Sequence, residues 1–258
     1  MAYRLSPNVD LLFTEAGDIP DRIAAAAAAG FDAVELWGTL DRDVAAIRRA
    51  ADDHGVEITS VLAEPRTNFT FPGTDLTAYF DGLARGVENA AALGSPRIVL
   101  GSGMGFPGAK RGVQLEKLAE VFAESVERTA GSEVKLILEP VNVRVDHPGA
   151  LLDRTGDAVA IARAVNSERF GILYDLYHSI TEGEDPAAEL AAAGSYLDYV
   201  QIADAAGRGE PGTGSVDWAL SLKILREAGY TGPLGLEYFP TVESARSTEY
   251  IRAIAQEA

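Results

Sequence analysis

The sequence predicts a (β/α)₈ TIM barrel, a closed ring of eight parallel strands surrounded by helices. Strand and helix patterns alternate along the whole chain, which has 258 residues, 47% of them hydrophobic. That length is close to the roughly 250 residues of this fold. Because no linker divides the chain, we expect one domain over residues 1–258, with an open doubly wound sheet as the alternative fold.

Eight short segments have the apolar, β-branched or aromatic character of buried strands. In chain order they are Arg4–Asn8, Ala33–Gly38, Val56–Glu64, Arg97–Gly103, Val134–Asn142, Phe170–His178, Leu197–Asp204 and Gly232–Pro240. The intervals between them leave room for one crossover helix each, as parallel strands require.

Eight segments between and after these strands have helical patterns. They are Ile19–Ala29, Asp41–His54, Asp75–Leu93, Gln114–Ala130, Thr155–Val165, Pro186–Ala193, Asp217–Ala228 and Val242–Ala255. Several stop at a glycine, as at Gly30, Gly94 and Gly229, which is a common end of a helix. The alanine run Ala24–Ala29 continues the first helix and lets it pack close to the barrel.

Composition and charge disfavour several classes of function. The chain has 22 basic and 39 acidic residues, a net charge of −17, and no basic stripe, so nucleic acid is not an expected partner. It has no cysteine, hence neither a disulfide framework nor a thiolate metal site. Without a signal-peptide pattern or an apolar run of roughly 18 residues, we expect a cytoplasmic protein with no membrane contact. The oligomeric state stays open between a monomer and a homo-oligomer.

Four predicted strands run directly into an oxygen-bearing side chain. These side chains are Glu139 in LILEPVN, Asp175 in LYDLYH, Gln201 in YVQIAD and Glu237 in GLEYFP, separated by 36, 26 and 36 residues. Such intervals match one strand, crossover helix and returning strand, so the four oxygens should converge at the carboxyl ends of the strands. We therefore expect a single divalent-metal site, and its all-oxygen ligand set favours Mg²⁺ or Mn²⁺ over Zn²⁺.

The positions two residues before these four should point into the barrel below the site. They are Ile137, Leu173, Tyr199 and Gly235. Three are apolar or aromatic, which predicts a filled interior under a polar mouth.

A nucleotide cofactor is not expected. Two G-x-G-x-x-G patterns occur, at Gly103–Gly108 and Gly207–Gly212, but each has proline where a helix should begin. We interpret both as loop glycines.

Longer segments resemble the hydroxypyruvate isomerase family of xylose isomerase-like TIM barrels. They are LEPVN, LYDLYHSITEGED, VQIADAAGRGEPGTGSVDW and GLEYFP, together with the opening NVDLLFTEAGDIPDRIAAAAAAGFDAVELWG. The resemblance covers most of the chain, and QIADxxGRxEPGTG is its most specific part. Two loops, Leu62–Gly73 and Leu100–Gly112, depart from the family pattern, and they would help to shape the substrate pocket.

The resemblance also implies roles for individual residues. It implies that Glu139, Asp175, Gln201 and Glu237 bind the metal, and that Glu139 and Glu237 exchange protons with the substrate. Related ketose 3-epimerases have histidine where this chain has Gln201, which favours the isomerase branch.

Two further residues are candidates for substrate binding. His178, three residues after Asp175, could face a substrate oxygen or be an ordinary loop histidine, and the resemblance of YDLYH favours the substrate contact. Arg208 could bind a substrate hydroxyl or carboxylate, or form a salt bridge that orders its loop. His54 and His147 are expected to be surface or packing residues.

The predicted function is a metal-dependent intramolecular oxidoreductase acting on a small hydroxy-carbonyl or sugar substrate. The expected reaction interconverts hydroxypyruvate and tartronate semialdehyde through an enediolate. Three alternatives remain: a ketose 3-epimerase, a sugar or sugar-acid binding protein without catalysis, and a DNA-repair endonuclease on a similar barrel.

Overall fold

A computed structural model describes residues 2–205 and 207–257 and shows strands alternating with helices. The strands are β1 (Leu5–Pro7), β2 (Ala33–Val34), β3 (Glu57–Ile58), β4 (Val61–Leu62), β5 (Arg97–Leu100), β6 (Lys135–Leu138), β7 (Phe170–Asp175), β8 (Leu197–Ile202) and β9 (Leu234–Leu236). The helices are α1 (Ile19–Ala28), α2 (Val44–His54), α3 (Thr77–Leu93), α4 (Arg111–Arg128), α5 (Thr155–Val165), α6 (Leu176–Glu182), α7 (Pro186–Ala193), α8 (Trp218–Glu227), α9 (Ser244–Ser247) and α10 (Glu249–Glu257). Ala206, inside the QIADxxGRxEPGTG motif, and both terminal residues lie outside this description.

The strands form a parallel barrel. Seven of them pair in the order β1-β9-β8-β7-β6-β5-β4, and β2 pairs with β3. Backbone hydrogen bonds close the ring on both sides of this pair: the N–H of Val9 donates to the carbonyl of Glu35 at 2.9 Å, and that of Leu36 to Ser60 at 3.2 Å. The predicted (β/α)₈ fold is confirmed, and the open doubly wound sheet is wrong.

An apolar layer fills the barrel below its mouth, as expected. Its members are buried and separate from the main core between barrel and helices: Val99, Ile137, Leu173 and Tyr199. At the fourth expected position, the absent side chain of Gly235 leaves space for Glu35. A Cβ on Gly235 would lie 2.4 Å from Oε2 of Glu35.

The third predicted strand, Val56–Glu64, is not one continuous strand. The structure divides it into β3 and β4, with Thr59 and Ser60 between them. At the break, Nη1 of Arg97 donates to the carbonyl of Thr59 at 2.8 Å. The hydroxyl of Thr59 hydrogen-bonds that of Ser6 at 2.6 Å. The side chain of Arg97 thus satisfies a backbone carbonyl at the point where the ladder is interrupted.

The sixth predicted strand, Phe170–His178, is three residues too long. Oδ1 of Asp175 accepts hydrogen bonds from the backbone N–H groups of Tyr177 at 2.8 Å and His178 at 3.3 Å. This N-cap starts helix α6 directly at the end of β7. His178 therefore lies on a helix and not in the expected loop.

Aspartate side chains begin several other helices. Asp18, Asp43 and Asp217 each accept a backbone N–H from the first turn of α1, α2 and α8. The last predicted helix, Val242–Ala255, is interrupted at Thr248, which ends α9. Over the residues described, no helix is both long and apolar enough to cross a membrane.

Three charged residues at the amino ends of the strands form what we call the base cluster: Arg97, Lys135 and Asp198. Oδ1 of Asp198 accepts from Nε of Arg97 at 3.0 Å, and Oδ2 accepts from Nζ of Lys135 at 2.6 Å. Burial disfavours the charged carboxylate, but these two cations outweigh it and lower the pKa of Asp198. Its charge is thus fully compensated at the closed end of the barrel.

Candidate functional site

A cavity of about 640 Å³ opens at the carboxyl ends of the strands. Four of the six residues predicted for the site line it, namely Glu139, His178, Arg208 and Glu237. The other two, Asp175 and Gln201, are buried partners in the β7–β8 pairing. The structure therefore brings the predicted residues to one end of the barrel, although their roles stay predictions.

Arg208 links two of the predicted metal ligands. Its Nη2 lies 2.6 Å from Oε2 of Glu237 and 3.4 Å from Oδ2 of Asp175. Its backbone is left-handed, with φ of 54°, which costs a non-glycine residue about 1 kcal/mol or more. The N–H of Phe239, which donates to the carbonyl of Arg208 at 2.9 Å, helps to hold this conformation. The loop-ordering salt bridge is present, and substrate binding by Arg208 stays a prediction.

Two acidic residues of the QIADxxGRxEPGTG motif build the loop that carries Arg208. Oδ2 of Asp204 accepts from the N–H of Gly212 at 2.8 Å and from Nε1 of Trp218 at 3.0 Å. Glu210 accepts from the backbone and the hydroxyl of Thr241. These acids fold the loop and do not line the cavity.

His178 lies beside Glu139 and Asp175. Its Nε2 is 3.7 Å from Oε1 of Glu139 and 3.6 Å from Oδ2 of Asp175, and one ligand atom from each of the three falls within 4.8 Å of the others. The backbone N–H of Asn142 donates to Nδ1 of His178 at 3.2 Å. Since Nδ1 accepts, Nε2 carries the hydrogen of the neutral ring. Burial, assisted by Arg208, keeps the pKa of His178 well below its usual value.

Glu35, which the sequence analysis missed, fixes the orientation of Gln201. Nε2 of Gln201 donates to Oε1 of Glu35 at 2.8 Å. Glu35 also accepts from Tyr199 at 2.6 Å and from Asn8 at 3.2 Å. Burial, followed by the charge of Glu237, raises the pKa of Glu35 to about 7. The other end of the amide, Oε1 of Gln201, is buried and has no hydrogen-bond partner within the described chain.

Carboxylates outnumber cations in this site. Burial, then Glu237 and Asp175, raise the pKa of Glu139 well above its usual value. Burial also raises the pKa of Glu237 and of Asp175, although Arg208 opposes both shifts. Crowded carboxylates and the unpaired oxygen of Gln201 are the donor chemistry that a hard divalent cation prefers. The residues present therefore fit such an ion.

Trp37 and His147 also belong to the cavity, and the sequence analysis missed both. Nε1 of Trp37 donates to Oε1 of Glu237 at 2.7 Å, which holds that carboxylate in place. His147, expected at the surface or in packing, lines the cavity with its ring centroid 5.3 Å from that of His178. His147 thus packs against His178, as a packing residue would, and it also faces the cavity. A signal for Trp37 was available, because ELWG ends a predicted strand just as LEP and LEY do.

The remaining wall of the cavity comes from the two loops that depart from the family pattern. Residues 62–63 and 65–69, from the first loop, and 100–104, from the second, face the same space as Glu139 and Glu237. The two segments touch, since Oδ1 of Asn68 accepts from the N–H of Met104 at 3.0 Å.

Comparison with known proteins identifies the family. Residues 23–254 match the family described as xylose isomerase-like TIM barrel. The chain belongs to this family. A 2-oxo-tetronate isomerase from Cupriavidus necator is 30% identical, with 96% of this chain and 97% of the relative covered. The hydroxypyruvate isomerase of Escherichia coli is 28% identical, covering 92% of this chain and 93% of the relative.

Both relatives confirm the predicted resemblance and the prediction that the chain is an aldose–ketose type isomerase. A crystal structure titled as an AP endonuclease, family 2, from Brucella melitensis superimposes with a TM-score of 0.88. It covers 97% of this chain and 98% of that chain at 24% identity, a level that shows the fold alone.

Proposed function

We propose that the protein is a divalent-metal-dependent isomerase that interconverts hydroxypyruvate and tartronate semialdehyde, or a four-carbon analogue, through an enediolate. The observation that carries this proposal is the pair Glu139 and Glu237, one partly buried and one buried carboxylate, both with raised pKa values, that line one cavity. The names of the relatives, which act on hydroxypyruvate and 2-oxo-tetronate, support the choice of substrate.

We infer that Glu139, Asp175, Gln201 and Glu237 would hold a metal ion, Mg²⁺ or Mn²⁺. The set contains only oxygen donors, and the orientation of Gln201 by Glu35 frees its carbonyl oxygen for the ion. When bound, the cation would supply positive charge beside the two substrate oxygens that become the enediolate.

Proton transfer is assigned to the two glutamates. One takes a proton from the CH₂OH carbon of hydroxypyruvate, and a proton is returned to the neighbouring carbonyl carbon while the hydroxyl proton moves to the other oxygen. No electrons leave the molecule, so neither an oxidant nor a nucleotide cofactor is required. Raised pKa values suit this role, because they make each carboxylate a stronger base than an ordinary glutamate.

His178 and Arg208 are assigned to the substrate oxygens. The Nε2–H of His178 is a neutral donor whose direction is fixed by Asn142. Arg208 already contacts Glu237 through Nη2, and its buried Nε has no partner among the residues described, so a substrate hydroxyl or carboxylate would satisfy it.

We also infer a single domain, because β1 near one end of the chain pairs with β9 near the other.

Proton NMR in D₂O tests this proposal. Protein loaded with Mn²⁺ or Mg²⁺ is incubated with hydroxypyruvate, with the four-carbon acid 2-oxo-tetronate and with a panel of free ketoses. We expect deuterium incorporation and an aldehyde product from the oxo acids, and loss of both after removal of the metal with EDTA. Turnover of ketoses alone would overturn the proposal.

A ketose 3-epimerase is the second candidate. The cavity volume of about 640 Å³ exceeds what a three-carbon acid needs, and return of the proton to the same carbon from the opposite face requires the same two carboxylates.

The remaining two alternatives are less well supported. A sugar-binding protein without catalysis would not need two proton-transfer groups. An endonuclease is disfavoured by the net charge of −17 and by the chain's total of three histidines.

A further inference from the structure

Arg66 stands out among the residues that line the cavity. Two arginines line it, Arg66 and Arg208. Arg208 is engaged by Glu237 and Asp175. Within residues 2–205 and 207–257, the side chain of Arg66 forms neither an ion pair nor a hydrogen bond, and the residue is exposed. The cavity wall thus carries one guanidinium group whose charge no carboxylate of the described chain compensates.

We propose that Arg66 binds a carboxylate group of the substrate and thereby selects hydroxy-oxo acids over neutral sugars. This inference rests on the proposed isomerase function and names the substrate class of the same site. Arginine suits the task because its planar fork of N–H donors matches the two oxygens of a carboxylate.

The charge of the cavity explains why such a group is needed. Glu139, Asp146 and Glu237 all line the cavity, and the whole chain carries a net charge of −17. An anionic substrate entering this field is repelled unless a cation compensates its carboxylate. A neutral sugar meets no such barrier and gives no reason for an unpaired arginine at the wall.

Contacts on both sides of Arg66 hold the backbone of its segment in place. The hydroxyl of Thr67 donates to the carbonyl of Pro65 at 3.1 Å. The carbonyl of Thr67 packs so closely on Gly103 that a Cβ there would lie 2.1 Å from it. With Asn68 bonded to Met104, this pins the segment from Pro65 to Asn68 against the loop after β5. The guanidinium therefore projects from a defined anchor.

The charge of Arg66 also acts on the interior of the cavity. Burial and Arg208 lower the pKa of His147, and Arg66 adds a smaller effect in the same direction. His147 lies next to His178, which we assign to the substrate. The same cavity is thus lined by Glu139 and Glu237, which we assign to proton transfer, and by Arg66, which would hold the anionic end of the substrate.

Kinetics on a matched pair of substrates tests the proposal. Hydroxypyruvate and dihydroxyacetone differ only in a carboxylate replaced by CH₂OH. In Arg66→Gln we expect kcat/KM for hydroxypyruvate to fall about 10- to 100-fold, the loss typical of a charge-assisted hydrogen bond, with partial recovery in Arg66→Lys. Any turnover of dihydroxyacetone should change by less than about twofold. Arg163→Gln, an equal charge change on the exposed face of α5, is the control.

Binding measurements test Arg66 without relying on turnover. Isothermal titration of the metal-loaded protein with glycerate and with glycerol should show that Arg66→Gln weakens glycerate binding about 10- to 100-fold and leaves glycerol unaffected. Equal affinity of both proteins for glycerate, or no measurable binding to the unmodified protein, would overturn the proposal. Tighter binding of inorganic phosphate than of glycerate at Arg66 would also overturn the proposal. If hydroxypyruvate is not turned over but glycerate binding depends on Arg66, the isomerase proposal fails while the carboxylate site stands.

Discussion

At the base of the barrel Asp198 is held between Arg97 and Lys135, whereas at the mouth Asp175 and Glu237 both contact one arginine, Arg208. The cations lower the pKa of Asp198 at the base, while burial raises those of the carboxylates at the mouth. From this difference we expect that charged side chains stabilise the fold where their charges are balanced, and serve the proposed reaction where they are not. Mutations at the two ends should therefore separate stability from activity.

The largest expected effect is on activity at the mouth. In Glu139→Gln and in Glu237→Gln, exchange of substrate hydrogen with solvent should fall by at least about 100-fold, because a proton-transfer group is lost. The metal-free Glu139→Gln variant should unfold at a temperature no lower than that of the original protein, since it removes a negative charge that burial, Glu237 and Asp175 all disfavour.

Proton NMR in D₂O and thermal unfolding measure the two effects in the same samples. Normal exchange in either variant would contradict the role of that residue. Normal substrate binding by both variants, together with no exchange by the unmodified protein, would favour a binding protein without catalysis.

The second effect is on metal affinity. Glu35→Gln should weaken Mn²⁺ binding about 10- to 100-fold, the range typical for a group that orients a ligand, because Gln201 loses the carboxylate that fixes its amide. Ser60→Ala is the matched control, since it removes another donor to Glu35 at 3.3 Å and leaves the bond to Gln201 intact. Titration followed by electron paramagnetic resonance measures free Mn²⁺. Unchanged affinity in Glu35→Gln would show that Gln201 does not depend on Glu35.

The third effect is on stability at the base. Asp198→Asn should lower the free energy of unfolding by about 2 kcal/mol, because Arg97 and Lys135 lose a charged hydrogen-bond partner. Urea denaturation measures this loss, and turnover in the folded variant should stay within about twofold.

The loss should also depend on pH. Because the pKa of Asp198 is lowered in the folded protein, its contribution is present above the unfolded pKa of about 3.9. It disappears as the pH falls through the folded value. The difference between the two proteins should therefore shrink below about pH 4, and an undiminished difference there would contradict the assignment.

The sequence predicted the barrel and the convergence of four strand-end side chains, because both follow from a pattern that repeats along the chain. The same rule applied to AVELWG would have found Glu35, a carboxylate in an apolar strand, as it found Glu139 and Glu237. Arg66 and His147 could not be assigned in this way. They lie in irregular segments whose path depends on contacts distant in sequence, such as the bond between Asn68 and Met104.

Local side-chain bonds explain the other errors. The capping of α6 by Asp175 ended a strand that looks continuous by hydrophobicity alone. A second predicted strand is interrupted at Thr59, where the backbone carbonyl accepts from the side chain of Arg97. Hydrophobic patterns describe which face is buried, and they contain no information on which side chain will satisfy a given backbone group.

The smallest expected effect tests whether the two ends of the barrel are independent. The ring of Tyr199 lies 4.9 Å from the guanidinium carbon of Arg97 at the base, while its hydroxyl donates to Glu35 at 2.6 Å toward the mouth. Tyr199→Phe keeps the ring but removes the bond to Glu35 and a second bond, at 3.0 Å, to the hydroxyl of Thr59, so we expect a loss of about 1–2 kcal/mol in the free energy of unfolding. Mn²⁺ affinity should change by less than about threefold, because Glu35 keeps its bond to Gln201. A loss of affinity as large as in Glu35→Gln would mean that Tyr199 transmits the state of the base to the metal ligands, and the two ends would then have to be treated as one network.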